Sequence, residues 1–353
     1  MAAHEAAGSA DILADVRNEL TRTWAHVLPS PGARVALLDF PDYGNVGDSG
    51  IWLGERRTLS HLGIDVAYSC SIATYDPRHV ARAVGHSGTI LLHGGGNFGD
   101  LWPRHQQFRE SVAREFPEAS IVQLPQSLHF ADDANLSRAS AIFAKHPDFR
   151  LLVRDQLGLP IAERVSGNRA TLCPDAALSL RLRRSRATLD VLFLLRADRE
   201  RVDRGPPPHQ LLRDLRWESA DWDEDPFRPS SKDPRWRAAI KTRARGGRRR
   251  ILTSLSASPV SARLATSHRD AMAQRRLDGG IRLISRGRVV VTDRLHGHIL
   301  CLVVGIPHVF LDNTYGKVTA FADTWGLAGQ RSRMATTMEE AIAAARDLLD
   351  GGM

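Results

Sequence analysis

The chain has 353 residues, 42% hydrophobic and 25% charged, a folded-protein composition too long for one ordinary core. No apolar run reaches the roughly 18 residues of a membrane span, and no basic stretch and apolar core mark a secretory signal at the N-terminus, so a cytoplasmic protein is expected. Net charge is +8 with a pI near 10.0, but lysine occurs only at 145, 232, 241 and 317 and the arginines crowd into 181–186 and 241–250, without a nucleic-acid motif; no nucleic-acid partner is expected, and peripheral attraction to an anionic membrane surface is the alternative use of that charge.

Residues 1–29 read as a short flexible lead into a helix. An apolar run at 33–40 has the character of a buried parallel strand. It ends in PDYGNVGDSG, where Gly44, Gly47 and Gly50 allow a tight turn and Asp48 or Ser49 can cap a helix over 51–62. The spacing is not the GxGxxG of a dinucleotide site. Asn45 and Asp48 are either ordinary caps or substrate contacts. Strands are expected at 65–70 and 89–92, the latter running into HGGGNFGDLW from His93 to Trp102. Gly94, Gly95 and Gly96 in succession are conformationally costly. They read as an N–H nest for phosphate or carboxylate, with Asn97 and Asp100 on the same edge. A helix follows over 102–116.

Further strands are expected at 120–124, at 150–153 ending in Arg154, and at 171–173, with a helix over 135–146. Together 30–180 form one doubly wound domain. The pattern restarts at 189–195 and ends in Arg196. The proline-rich stretch 201–249 reads as loop, and a strand is expected at 250–254, then a helix over 260–277. Residues 289–298, VVVTDRLHGH, then form strand, turn and helix start. Arg294 and His296 sit where a helix N-terminus favours anions, although they could simply cap a packed βα unit. A strand at 308–312 leads to Lys317, and a helix closes the chain over 337–349. Residues 181–353 thus make a second α/β domain. Cys70, Cys173 and Cys301 read as buried thiols, and no metal is expected because no His, Cys or Asp set has ligand spacing.

Every polar cluster follows an expected strand, and in two facing α/β domains those carboxyl edges would line one cleft. At this point GNVGD (44–48), LLHGGGNFGDLW (91–102), QLPQS (123–127), Arg154–Asp155, LLRADRE (194–200), DRLHGHI (293–299) and GIPHVFLDNTYGK (305–317) resemble the polysaccharide pyruvyltransferases. The resemblance implies two Rossmann-like domains arranged as in GT-B glycosyltransferases. It also implies transfer of pyruvate from phosphoenolpyruvate, without another cofactor, to a sugar of an exopolysaccharide or cell-wall glycan, free or lipid-linked, as a cyclic ketal. By position, Arg294, His296 and the Leu295 backbone look like the donor-binding turn, with Arg154 their partner from the first domain.

The expected chemistry is addition of a sugar hydroxyl to C2 while an acid protonates C3, then attack by a second hydroxyl as phosphate leaves. His296 is the candidate acid, since imidazole titrates near neutrality, and Arg294 stabilises the departing phosphate. Asp48, Asp100 or His93 could act as base toward the acceptor. Asn45, Gly94–Gly96, Asn97, Arg196 and Lys317 complete the expected contacts. The rival readings are a nucleotide-sugar glycosyltransferase of the same fold and a non-catalytic glycan-binding relative.

Overall fold

The computed structural model describes residues 2–198, 200–222 and 259–351. Two parallel sheets carry the chain, as runs buried on both faces require. The first contains β1 (Arg34–Leu38), β2 (Asp65–Cys70), β3 (Thr89–Leu92), β4 (Gly95–Gly99), β5 (Ser120–His129), β6 (Phe149–Val153) and β7 (Ala170–Leu172). Its order is β2-β1-β3-β5-β6-β7, and β4 lies beside the second half of β5, pairing Gly95 with Gln126 and Gly99 with His129. The second contains β8 (Leu189–Leu194), β9 (Trp217–Ala220), β10 (Gly287–Thr292), β11 (His308–Phe310) and β12 (Ser332–Met334), in the order β12-β11-β10-β8-β9.

Helices α1 (Ala2–Val27), α2 (Val46–His61), α3 (Pro77–Val84), α4 (Pro103–Glu115), α5 (Asp133–Phe143) and α6 (Leu159–Ser166) accompany the first sheet. Helices α7 (Pro259–Ser285), α8 (Leu295–Val304), α9 (Lys317–Trp325) and α10 (Met338–Asp350) follow. Side-chain alternation sorts the strands' two faces. Leu37 and Val290 point into one apolar cluster shared by both sheets, which also holds Trp52, Leu192, Leu277, Leu300 and Phe310. Ala36 and Leu38 point to the outer cluster of the first sheet, Val289 and Val291 to that of the second.

Helix α7 fastens the halves together. It belongs by sequence to the second sheet yet lies along α2 and β2. There Trp52 Nε1 donates to Asp270 at 2.8 Å, Arg276 Nη1 donates to the Pro41 carbonyl at 2.6 Å, and Ser69 and Thr266 share a buried hydroxyl contact at 2.8 Å. Close approach needs glycine. A Cβ on Gly280 would stand 2.3 Å from Val46, and one on Gly54 would stand 2.1 Å from the Ala176 carbonyl.

The structure departs from sequence expectation in definable places. Helix α1 starts at Ala2, replacing the flexible lead. The glycine run is strand β4 rather than an open loop. Strand β5 continues past Pro125 to His129 through an irregularity between Gln123 and Gln126. The stretch expected to be loop contains a 3-10 turn at His209–Leu212 and strand β9; residues 223–249, the basic run 241–250 and the strand expected at 250–254 lie outside the described residues. Among the described residues no helix is long and apolar enough to cross a membrane.

Candidate active site

The carboxyl edges of both sheets open onto a cavity of about 470 Å³. The first sheet contributes Asn45 and Asp48 after β1, Gly96 and Asn97 from β4, and Arg154 after β6; the second contributes Arg196 after β8, Arg294, Leu295 and His296 after β10, and Lys317 after β11.

Strand β10 ends at Thr292, and Arg294 becomes the N-cap residue of α8 with extended backbone and no side-chain cap. The first N–H groups of such a helix lack partners within it and face an anion readily. Glycine at 297 lets the helix sit on its own strand, because a Cβ there would stand 2.3 Å from Thr292 Oγ1. His296 rests on Gly47 of α2 in the same way: a Cβ at Gly47 would stand 2.5 Å from the ring. The turn after β10 in one sheet thus packs onto the helix start of the other.

Asp175 joins the two halves beneath the cavity. Its Oδ2 accepts from Arg154 Nη1 at 2.7 Å and lies 3.4 Å from His296 Nε2. That approach suits a charge interaction but lacks hydrogen-bond geometry, so Nε2 is a buried polar atom without a hydrogen-bond partner. Burial works against the Asp175 carboxylate, yet His296, Arg154 and the Ala177 N–H hold it well below the usual carboxylate range. Arg154 Nε donates to Ser127 Oγ at 2.8 Å, and its Nη2 lies over Gly96, 3.1 Å from where a Cβ would stand.

The other cations carry carboxylate partners too. Arg294 pairs with Asp221, and its buried Nε has no hydrogen-bond partner. Arg196 forks onto Asp198 at 2.9 and 2.8 Å and lies 3.3 Å from Glu200. Lys317 Nζ lies 3.6 Å from Glu200; burial lowers its pKa, with Arg154 and Arg196 adding to the effect and Glu200 opposing it. The cleft is therefore nearly charge-balanced, with the buried donor Arg294 Nε left without a hydrogen-bond partner. Buried donors left without partners are uncommon in folded proteins.

Four expected contacts lie elsewhere. Asp100, expected to be catalytic, instead accepts the backbone N–H groups of Ala131 and Asp132 at 2.9 Å each, ahead of α5. His93, 1% exposed, is not among the residues lining the cavity and is held by Glu55 through Nδ1 at 2.8 Å. Gly94 gives its N–H to Glu55 at 2.7 Å and packs on Pro125, while Gly95 takes a left-handed φ of 131° to enter β4. The expected nest is therefore partly filled by protein, and only Gly96 of the three borders the cavity.

Sequence reading missed Asp221 and Trp222, which lie in the stretch expected to be loop, and passed over Tyr43 and His105, which line the cavity. Asp175 was visible as a carboxylate after a short strand, but nothing in its spacing signals a bridge 121 residues long in sequence to His296.

Residues 45–315 match the polysaccharide pyruvyl transferase family. The chain belongs to that family. Pyruvyl transferase 1 of Schizosaccharomyces pombe is 33% identical over 305 residues, covering 83% of this chain and 69% of that protein. EpsO of Bacillus subtilis, provisionally named a pyruvyl transferase, is 30% identical over 298 residues, covering 83% and 85%. An uncharacterised Klebsiella pneumoniae protein shares the fold, with a TM-score of 0.57 at 15% identity over 91% of this chain and 99% of its own. Membership makes this α/β protein a transferase whose family acts on polysaccharide.

Proposed function

We propose that the cleft binds phosphoenolpyruvate and transfers its pyruvate to two hydroxyls of one sugar as a cyclic ketal, releasing phosphate. The observation that carries this reading is the convergence of Arg154 and Gly96 from one sheet with Arg294, His296 and Lys317 from the other on one cavity, with buried Arg294 Nε lacking a hydrogen-bond partner. Phosphoenolpyruvate carries a phosphate and a carboxylate close together, and guanidinium forks suit both. On this reading the sheets belong to two Rossmann-like domains, 30–180 and 181–353, in a GT-B arrangement, with the donor between them.

Arg154 and Arg294 hold the anionic groups, and Lys317 and Arg196 add charge as phosphate departs. His296, oriented by Asp175, delivers the proton to C3. The acceptor enters along the Tyr43, Trp102 and Trp222 flank, whose aromatic faces suit a sugar ring. Thermal unfolding tests the donor. Phosphoenolpyruvate at about 100 times its dissociation constant adds about 2.7 kcal/mol, and Arg294→Ala should abolish that shift. Stabilisation by a nucleotide sugar but not by phosphoenolpyruvate would make the protein a glycosyltransferase instead.

A further inference from the structure

The cleft holds a second imidazole gripped by a buried carboxylate. His105, in the first turn of α4, lines the cavity beside Tyr43, and its Nδ1 lies 2.8 and 3.1 Å from the two oxygens of Asp39. Asp39 is 2% exposed and is the first residue after β1, with a φ of 71°, a left-handed backbone that a side chain other than glycine takes only under constraint. Arg109, 0% exposed, stands 3.9 Å from the same carboxylate and is itself fixed by Gln123 Oε1 at 2.8 Å and the Asn97 carbonyl at 2.9 Å. The carboxylate is thus braced from behind while it holds the ring.

That grip settles the tautomer. A carboxylate only accepts, so a neutral His105 ring carries its proton on Nδ1 and leaves the lone pair on Nε2. Nε2 has no protein partner among the described residues, and the side chain is 15% exposed. An imidazole in this state is a proton acceptor facing a substrate cavity, the base half of an acid–base pair whose other half, His296, comes from the opposite sheet.

Resting on the pyruvyl-transfer reading, we propose that His105 is the base that takes the proton of the first acceptor hydroxyl, with Asp39 as its positioning residue. As the hydroxyl oxygen bonds to C2, its proton passes to His105 Nε2 and His296 gives a proton to C3. As the second hydroxyl bonds to C2 and the C2–O bond to phosphate breaks, its proton passes to the now neutral His296. His105 then returns its proton to the phosphate, which leaves as the hydrogen phosphate dianion. Both imidazoles end as they began. Asp48, which lines the same cavity, is left to accept a hydrogen bond from the sugar.

The test measures phosphate release from phosphoenolpyruvate with a panel of p-nitrophenyl glycosides, and the ring's tautomer by nitrogen-15 NMR of histidine-labelled full-length protein. His105→Gln should lower kcat at least about 100-fold, the low end for a general base, with KM for phosphoenolpyruvate and the unfolding midpoint little changed. Imidazole should restore part of the activity of His105→Ala. Asp39→Asn should lower kcat and remove the fixed Nδ1–H tautomer. Normal kcat in His105→Gln, a loss wholly in KM, or an Nε2–H tautomer in the wild type overturns the proposal. Wild-type protein that is neither stabilised by phosphoenolpyruvate nor active fails the underlying reading instead, and the base role falls with it.

Discussion

Gly47 is the seat of the His296 ring. The position is helical, so alanine would suit the backbone and add about 0.5–1 kcal/mol to α2. Its Cβ would nevertheless stand 2.5 Å from Cγ and Nδ1 of the ring, and crowding of that kind costs about 1–3 kcal/mol. Gly47→Ala is therefore expected to lower stability by at most about 2.5 kcal/mol while pushing the imidazole off Asp175. A displacement of about 1 Å in a catalytic group commonly costs about 100-fold in rate, so turnover should fall far more than stability. Unchanged phosphate release with unchanged unfolding would mean that the ring's position does not matter. Removing the ring tests its role more directly. His296→Ala should lower kcat by about 100-fold or more while phosphoenolpyruvate still shifts the unfolding midpoint; equal losses in both would make His296 a binding residue and not an acid.

Helix α8 shows how one element serves two ends. Its N-terminus faces the cleft, and one turn in, His298 turns away from it. His298 Nδ1 lies 2.8 Å from His308 Nε2 on β11, and His308 Nδ1 donates to the Ile306 carbonyl at 3.0 Å. Ser332 of β12 adds a contact to His308 Nε2 at 3.1 Å. Burial pushes the His298 pKa well below its ordinary value, with His308 adding to the effect, and burial pushes His308 down to about 4. Both rings are neutral in the folded protein, whereas unfolded histidine titrates near pH 6.5. The unfolded chain thus binds more protons below that pH, so their stability contribution is intact above 6.5 and is lost as pH falls toward 4. Denaturant unfolding from pH 7 to 5 should show stability falling on the order of 1 kcal/mol per pH unit per ring, with the slope reduced in His308→Asn. A wild-type slope matched by that variant would exclude the pair as its source. The DRLHGH stretch was legible as strand, turn and helix because Val289 to Thr292 are β-favouring and the following run is apolar. The sequence does not reveal that His296 borders the cavity and His298 the core, because that division follows from where β11 and β12 lie. The glycine run failed for a related reason: three glycines mark close backbone approach, and here Pro125 and Glu55 supply the neighbours for Gly94.

At the scale of the whole molecule, the two halves are joined by apolar and polar contacts along α7, by hydrogen bonds from Trp325 Nε1 to the Arg154 carbonyl at 2.8 Å and from the Gln156 N–H to Thr324 Oγ1 at 2.9 Å, and, under the cleft, by the Asp175 carboxylate. The alternation of strands and helices was legible through each half, because buried parallel strands announce themselves as apolar runs. Contacts between the halves were not, since Asp175, Arg154 and His296 meet only after both sheets have formed. Asp175→Asn isolates that junction. The amide oxygen can keep the 2.9 Å bond from the Ala177 N–H, but the amide NH2 would then face Arg154 Nη1, donor against donor, at 2.7 Å. Breaking a buried ion pair from one side commonly costs about 3–5 kcal/mol, because the remaining charge stays buried. Asp175→Asn should approach that loss at neutral pH and weaken the phosphoenolpyruvate shift, since Arg154 is no longer held toward Gly96. The double variant Asp175→Asn, Arg154→Gln removes the stranded charge and should recover part of the stability but none of the ligand shift. The coupling between the two positions, read from denaturant unfolding of all four proteins, separates a structural bridge from a binding one. Additive losses would show that Asp175 and Arg154 act independently.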